Sequence, residues 1–528
     1  MPVASMAADE MTRRYREGVM AAIVCVLAFS IYAASLAPTI TWQHDGADSG
    51  DLATAVAVGG VPHPSGYPTY LFLANLFNKL PLGGDVAYRL NVMSAACAAV
   101  AVGFLYLAAS QTLIELLPEG DPQASYVTNK QRYVLSVEVS AAIVAALTFA
   151  FSRPFWSQAI ITEVYALNSL FVALLLWLAL RVRAGSSSHL GWLCLAAGLA
   201  LGNLLLVAAV LPLVVTLVWP AYWRQSVRRR LGAVSLIVIG LGVYAIIPWR
   251  AATQSPMNWG GARDWTGFRW LVTGEAYQGY MLGLPWAYAG DRILALVQII
   301  ARSLAWWGLP VALWGWWLMV RYDRLLAVGS LLTVGLITMY AVGYNTADSY
   351  VYLLPALMLM SMWLAWGLSD LLRLARPNLL QVRIAWGLLA LPVVLVAFNF
   401  PAMSLRHDRT AMEFAERTLR RAAPGALILV DDDRHTFALW YAHYALNQRP
   451  DVAIVNVNLL GYDWYQVGLV KANPDLSLAH EVGSLIQQNI NQHPVYAIGG
   501  TLTLPSQFVT TEDEKFQELR KVGEAARR

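Results

Sequence analysis

His44-Asp45-Gly46-Ala47-Asp48-Ser49-Gly50-Asp51, followed closely by His63-Pro64-Ser65-Gly66-Tyr67-Pro68, crowds three carboxylates and two imidazoles just beyond the first long apolar run of the chain. Asp45, Asp48 and Asp51 are spaced by three, so any helical turn here stacks them on one face. Like charges that close raise each other's proton affinity, which suits one of them to act as a base near neutral pH. A solvated acidic turn would read the same. The elements that position these groups have to decide.

Of the 528 residues 58% are hydrophobic and 13% charged, with 21 Trp. A soluble chain of this length needs more charge to cover its surface, so the composition implies a polytopic membrane protein. The net charge of +4 is small and gives no sign of a nucleic-acid partner. Cys25, Cys97 and Cys194 lie inside apolar runs and imply neither a disulfide framework nor a metal site. Arg13, Arg14 and Arg16 precede an apolar run too long for a signal peptide and followed by no small-residue cleavage site, which reads as a retained anchor.

Apolar runs fall at 19–37, 88–113, 135–151, 163–181, 190–219, 231–248, 296–319, 325–343, 351–372 and 384–400. The run at 190–219 is too long for one upright helix, and Arg181 and Arg183 before it match Arg224 and Arg228 to Arg230 after it. It therefore reads as a hairpin turning near Gly202-Asn203, which gives eleven crossings. Arg13/Arg14/Arg16, Lys130/Arg132, Arg321/Arg324 and Arg373/Arg376/Arg383 all fall inside on this count. The expected architecture is an α-helical transmembrane domain over 1–400, with a first outer loop at 38–87, and an extracytoplasmic domain over 401–528. The expected location is the plasma membrane, with a cytoplasmic N-terminus. Asp45, Asp48, Asp51, His63, Glu163, Arg250, Asn258, Trp259, Asn345 and Asp348 then share the outer side, opposite the basic anchors.

Residues 69–80 are too short and polar to span and read as an interfacial helix. Residues 249–291, rich in Trp, Tyr and Gly, suit headgroup depth, either as a lid or lipid-tail guide or as a plain aromatic belt. After Pro401 short β-branched runs at 426–430, 452–457 and 495–498 alternate with helix-like stretches at 435–447 and 478–491, the pattern of a small α/β domain with a parallel sheet. Asp431-Asp432-Asp433 follows the first strand, where open α/β sheets place ligands, but reads first as a solvated turn. No nucleotide-binding glycine loop is present, which argues against a soluble nucleotide-sugar donor.

Asp48-Ser-Gly-Asp51, His63-Pro-Ser-Gly-Tyr67-Pro68 and Arg89-Leu-Asn91-Val-Met-Ser94-Ala resemble the protein O-mannosyltransferase-like membrane family. The stretch from Phe155 through Glu163 and Tyr165 to Asn168 matches as well, as do Asn258-Trp259-Gly260 and Tyr344-Asn345 with Asp348. So do Asp432-Asp433 through Tyr441, Arg449 to Val452, and Asp463-Trp464-Tyr465. The resemblance runs over nearly the whole chain. It implies a GT-C glycosyltransferase, a multi-pass enzyme taking a sugar from a polyprenyl-phosphate donor on the outer membrane face. The family's carboxylate in the first outer loop matches Asp48. This chain departs from the pattern with Asp51 where Glu is usual and Ser65 where a second Pro is usual. Mannose as the sugar and protein or another glycan as the acceptor are defaults of the resemblance.

On that reading Asp48 takes the proton of the attacking acceptor hydroxyl, with Asp51 or Asp45 orienting or tuning it. The leaving lipid phosphate needs a cation or donors, for which His63, Arg89 and Arg250 are the candidates; Arg89 reads equally as a snorkelling anchor. Tyr67, Glu163, Tyr165, Asn258, Trp259, Tyr344, Asn345 and Asp348 complete the expected cavity. The acidic residues could ligate Mg²⁺ or Mn²⁺, but the resemblance implies no required metal or other cofactor. Two other functions fit a polytopic chain: a lipid or saccharide transporter, and a non-catalytic scaffold. A transporter gathers polar groups near the midplane in both halves. Here they collect at one face, which favours an interfacial enzyme.

Overall fold

A computed structural model describes residues 2–114, 127–253, 255–374, 383–384, 387–499, 508–510 and 517–521. Arg376, placed inside by the charge count, lies outside them. Every apolar run named above contains helix. In chain order the helices are α1 (Pro2–Ser35), α2 (Ser49–Ala57), α3 (Pro68–Asn78), α4 (Val86–Ile114), α5 (Val127–Ala150), α6 (Arg153–Ala159), α7 (Tyr165–Arg183), α8 (His189–Leu201), α9 (Leu211–Trp223), α10 (Val227–Leu241), α11 (Ile246–Ala252), α12 (Trp265–Val272), α13 (Ala289–Ser303), α14 (Gly308–Tyr322), α15 (Arg324–Gly343) and α16 (Leu354–Leu374). After a further apolar helix, α17 (Ala390–Met403), come α18 (Thr410–Arg421), α19 (Asp433–Trp440), α20 (Asp463–Ala472) and α21 (Val482–Asn489).

Among the described residues 6 helical stretches are long and apolar enough to cross a membrane, or up to 8 if two bent pairs each count once. The bends are 68° between α5 and α6 and 88° between the stretch Trp286–Ser303 and α14. The expected hairpin is two separate helices, α8 and α9, broken at Gly202-Asn203-Leu204 and joined by a short 3₁₀ turn at Leu205–Ala209. Each has 13 residues, which rise about 20 Å, less than a hydrocarbon core of about 30 Å. α3 forms within the expected interfacial stretch, burying Tyr70, Leu71 and Ala74 and exposing Phe72 and Leu76.

The last part of the chain builds a five-stranded sheet in the order β2-β1-β3-β5-β4, with β1 Leu427–Val430, β2 Ala453–Asn456, β3 Val495–Ile498, β4 Phe508–Thr510 and β5 Gln517–Lys521. β1 pairs in parallel with β2 and β3, and the buried β-branched and aliphatic runs explain why these three form the parallel part of the sheet. β5 pairs antiparallel with β3 and with the edge strand β4, an extension that the sequence pattern did not reveal. Arg449, which belongs to the resembling tail, closes the end of α18 by donating to the carbonyls of Leu419, Ala422 and Ala423.

This unit does not stand apart from the helical part. The Trp42 indole donates to the Arg434 carbonyl at 3.0 Å, and the Ala87 amide donates to the Tyr441 hydroxyl at 3.1 Å. Thr41 donates to Asp408, and His44 Nε2 lies 3.3 Å from the Met403 carbonyl. Asn91 ties the chain leaving α1 to the loop before α7: its amide donates to the Ala37 and Thr39 carbonyls while its oxygen accepts from Thr162 at 2.7 Å. The segment between α1 and α4 is thus clamped between the α/β unit and the ends of α4 and α7.

Candidate active site

Asp48 immediately precedes α2 and Asp51 sits in its first turn, so the two carboxylates lie near the positive end of a short helix buried from Ser49 to Val56. α2 approaches α19 through Gly50, where a Cβ would stand 2.5 Å from the Phe437 carbonyl carbon's oxygen. Any side chain at position 50 would push the two helices apart. Beyond α2, Val61 and Asn258 form a parallel bridge, with the Val61 amide donating to the Met257 carbonyl at 3.0 Å. A Cβ on Gly60 would collide with that same carbonyl. The bridge brings Trp259 to the acidic loop.

Asp51 is fully buried and accepts three hydrogen bonds. One oxygen takes the His63 amide at 3.0 Å and His63 Nδ1 at 2.7 Å; the other takes the Trp259 indole at 3.0 Å. On the far side of the ring, His63 Nε2 is 3.5 Å from Asp48 and 3.1 Å from the Tyr67 hydroxyl, which donates onward to the Pro64 carbonyl at 3.0 Å. The order is therefore Asp51–His63–Asp48. The outer carboxylate is open to its surroundings, with its side chain 43% exposed.

Burial works against a charged His63, but Asp48 and the hydrogen-bonded Asp51 outweigh it, with Glu163 adding to them, and push the imidazole up to about 9. Both ring nitrogens then act as donors at neutral pH. Burial raises Asp48 above the usual carboxylate range; His63 pulls it back, and Asp51 and Asp348 push it up. Glu163, in the loop before α7, is raised well above the usual range by burial and by Asp48, which suits a protonated carboxyl.

The His63 value has a measurable consequence. Because the folded value of about 9 exceeds the ordinary 6.5, the stabilisation is complete below pH 6.5 and is lost as pH rises through 9. A shift of this size corresponds to about 3 kcal/mol. The thermal midpoint of the purified protein should fall between those pH values, and His63→Gln should flatten the fall. Equal slopes in both proteins would show that His63 is not held protonated.

Several expected site residues gather here and others do not. Tyr67, Glu163, Trp259 and Asp348 surround the Asp51–His63–Asp48 group through the contacts and charges just given. Tyr165 and Tyr344 join through a chain of rings, Tyr165–Tyr352 at 6.2 Å and Tyr352–Tyr344 at 5.1 Å. The Asn345 amide donates to the Tyr280 carbonyl at 3.0 Å, placing that residue in the wall rather than at the carboxylates. Asn258 serves the bridge to Val61, and its amide donates to the Ala251 carbonyl at 3.3 Å.

Three expectations need correction. Asp45 does not stack with Asp48 and Asp51, because His44 and Asp45 take left-handed backbone angles (φ 59 at each) that break the helical repeat. Its carboxylate accepts from the Tyr350 hydroxyl at 2.9 Å. Arg89 is engaged elsewhere: it donates to Asn78 and to the Gly84 carbonyl, both at 2.9 Å, and pins the loop before α4. Arg250 is buried and donates to the Gly60 carbonyl at 2.8 Å and the Ala55 carbonyl at 3.3 Å, so it closes the C-terminal end of α2. Arg250→Ala should therefore cost about 1–3 kcal/mol of stability, read as a lowered thermal midpoint, while leaving the donor KM unchanged.

Sequence reasoning missed Phe437, whose ring stacks on His63 at 6.3 Å and 17°, and Tyr277, whose ring is 6.4 Å from the same imidazole. It read Asp433 first as part of a solvated turn, whereas burial and the charges of Asp48 and Asp51 raise it to about 6 against the pull of His63. The position of Asp433 after β1 was the available signal.

The family model described as "Protein O-mannosyl-transferase TMEM260 N-terminal domain" matches residues 48–222, and that of "TMEM260-associated domain 2" matches residues 411–476. The chain is 25% identical to Protein O-mannosyl-transferase TMEM260 of Mus musculus over 538 residues, covering 97% of this chain and 71% of that relative. With the Dictyostelium discoideum protein of the same name it shares 21% identity, covering 89% of this chain and 62% of that relative. In fold it is similar to ArnT from Cupriavidus metallidurans, bound to undecaprenyl phosphate (TM-score 0.52) and in the apo state (TM-score 0.53), each at 14% identity. Those comparisons cover 95% and 97% of this chain and 97% and 98% of the ArnT chains. Both family models and both relatives thus make the chain similar to the protein O-mannosyl-transferases of the TMEM260 type, and its fold is similar to that of ArnT.

Proposed function

We propose that the protein transfers a sugar, mannose on the strength of its relatives' names, from a polyprenyl-phosphate donor to a hydroxyl of an extracytoplasmic acceptor, with Asp48 as the base. The observation that carries this reading is the Asp51–His63–Asp48 arrangement, with its inner carboxylate buried and its outer one exposed. The undecaprenyl phosphate bound to ArnT supports a lipid-phosphate donor by analogy of fold. The site is read as facing the outside of the plasma membrane, the side assigned by the basic clusters.

In this mechanism the acceptor oxygen attacks the anomeric carbon, its proton passes to Asp48, and the bond from that carbon to the phosphate oxygen breaks. His63, charged and held by Asp51, keeps Asp48 ionised and fixes its direction. Negative charge develops on the leaving phosphate. With Arg89 and Arg250 committed to backbone carbonyls, the protonated Glu163 and the His63 charge are the groups proposed to offset it. Asp348 and the tyrosine chain wall the donor sugar, and no metal is assigned a role. Mass-spectrometric comparison of glycans on proteins and lipids, with and without this chain, tests the reading. A hexose on proteins that disappears with the chain supports it; unchanged protein glycans with altered lipid sidedness would favour transport.

A further inference from the structure

Asp433 belongs to the α/β unit, yet it lies with residues of the segment between α1 and α4. Three features of packing place it there. Asp432 caps α19 by accepting from the His435 amide at 2.8 Å, so the helix begins at Asp433. Phe437, four residues on, stacks on His63, and residues four apart share a helix face. The Trp42 indole, bonded to the Arg434 carbonyl, fixes the start of α19 over the acidic loop. Asp433 is nonetheless exposed and so free to meet a ligand. Its raised value of about 6 and its effect on Tyr277, which also feels Asp48, agree with that position.

The groups around the carboxylates differ in origin. Glu163 precedes α7 and Asp348 precedes the stretch Ser349–Leu374, so both approach from the ends of helices apolar enough to span a membrane. A donor anchored by a lipid tail has to present its phosphate on that side. Asp433 comes instead from the first turn of α19 in the α/β unit, and a carboxylate there would repel a phosphate. It is well matched to a polypeptide, whose hydroxyl and amide groups donate hydrogen bonds.

We propose that Asp433 is an acceptor-binding residue, its carboxylate accepting a hydrogen bond from a hydroxyl-bearing polypeptide and holding that hydroxyl against Asp48. The inference rests on the glycosyl-transfer reading above. It adds that the α/β unit supplies part of the acceptor subsite rather than only covering the transmembrane helices. Asp433 takes no proton in the transfer.

The test uses the full chain in liposomes, with polyprenyl-phosphate mannose and a Ser/Thr-containing peptide. Asp433→Asn should raise the peptide KM about tenfold or more, the loss of one charge-assisted hydrogen bond, and leave the donor KM within about twofold. Asp433→Glu, which keeps the charge on a longer arm, should recover part of the peptide KM. A fall in kcat with both KM values unchanged, or a rise in the donor KM, would overturn the proposal. If Asp433→Asn does not fold, the Glu variant decides: a peptide KM identical to wild type would count against an acceptor contact, and a raised one for it. Wild-type protein that transfers no sugar would instead defeat the glycosyl-transfer reading, whatever the variants do. Transfer to a glycan acceptor but not to the peptide would show that the subsite serves a different class of acceptor.

Discussion

Asp48→Asn should reduce transfer by at least about 10²-fold, and by up to about 10⁴-fold if proton removal limits the rate, with little change in the donor KM. Asn keeps the size and shape of Asp but cannot take a proton, so the loss falls on the chemical step. The fold should survive the change, because the Asp48 side chain is 43% exposed and its His63 contact, at 3.5 Å, is long. The thermal midpoint and the steady-state constants of the purified variant give both readouts. Turnover near that of wild type would remove Asp48 from the role of base.

Asp51→Asn should be severe for a different reason. Asp51 accepts three N–H donors in a fully buried position, and an amide has only one oxygen with which to accept them. Its NH₂ group must confront either the Trp259 indole or the two His63 donors, a buried mismatch of about 1–3 kcal/mol. The charge that helps to keep His63 protonated also disappears. The expected outcome is a lowered thermal midpoint, a fall in kcat of roughly 10²-fold, and a basic limb of the pH–rate profile displaced below 9. An unchanged basic limb would separate Asp51 from the state of His63. The shorter carboxylate at 51, which departs from the Glu usual in the family, reaches His63 Nδ1 at 2.7 Å, so its length is no obstacle in this fold.

The helical architecture was legible because apolar runs of spanning length leave few alternatives, and the β-branched runs after Pro401 marked β1, β2 and β3 for the same reason. Asp48 and Asp51 were legible because their separation matches a helical turn, which α2 supplies. Asp45 shared that spacing but not the turn, since two left-handed residues intervene, and nothing in His44-Asp45 announces them. Arg89 and Arg250 show where charge alone misleads. The sequence displays a cation near the end of an apolar run, but not the backbone carbonyls that the fold brings within reach of it. Asp433 and Phe437 were hidden by separation along the chain. They meet His63 and Asp48 only because Gly50 lets α2 and α19 approach closely, a contact with no local signature.

The most direct test is transfer by the purified, reconstituted chain from polyprenyl-phosphate mannose to a hydroxyl-bearing peptide, read as hexose addition by mass spectrometry beside the Asp48→Asn protein. The account predicts a glycosylated peptide that accumulates with wild-type protein and is essentially absent with the variant. Equal accumulation with both proteins would contradict it, as would no product with wild type across polyprenyl-phosphate sugars and acceptors.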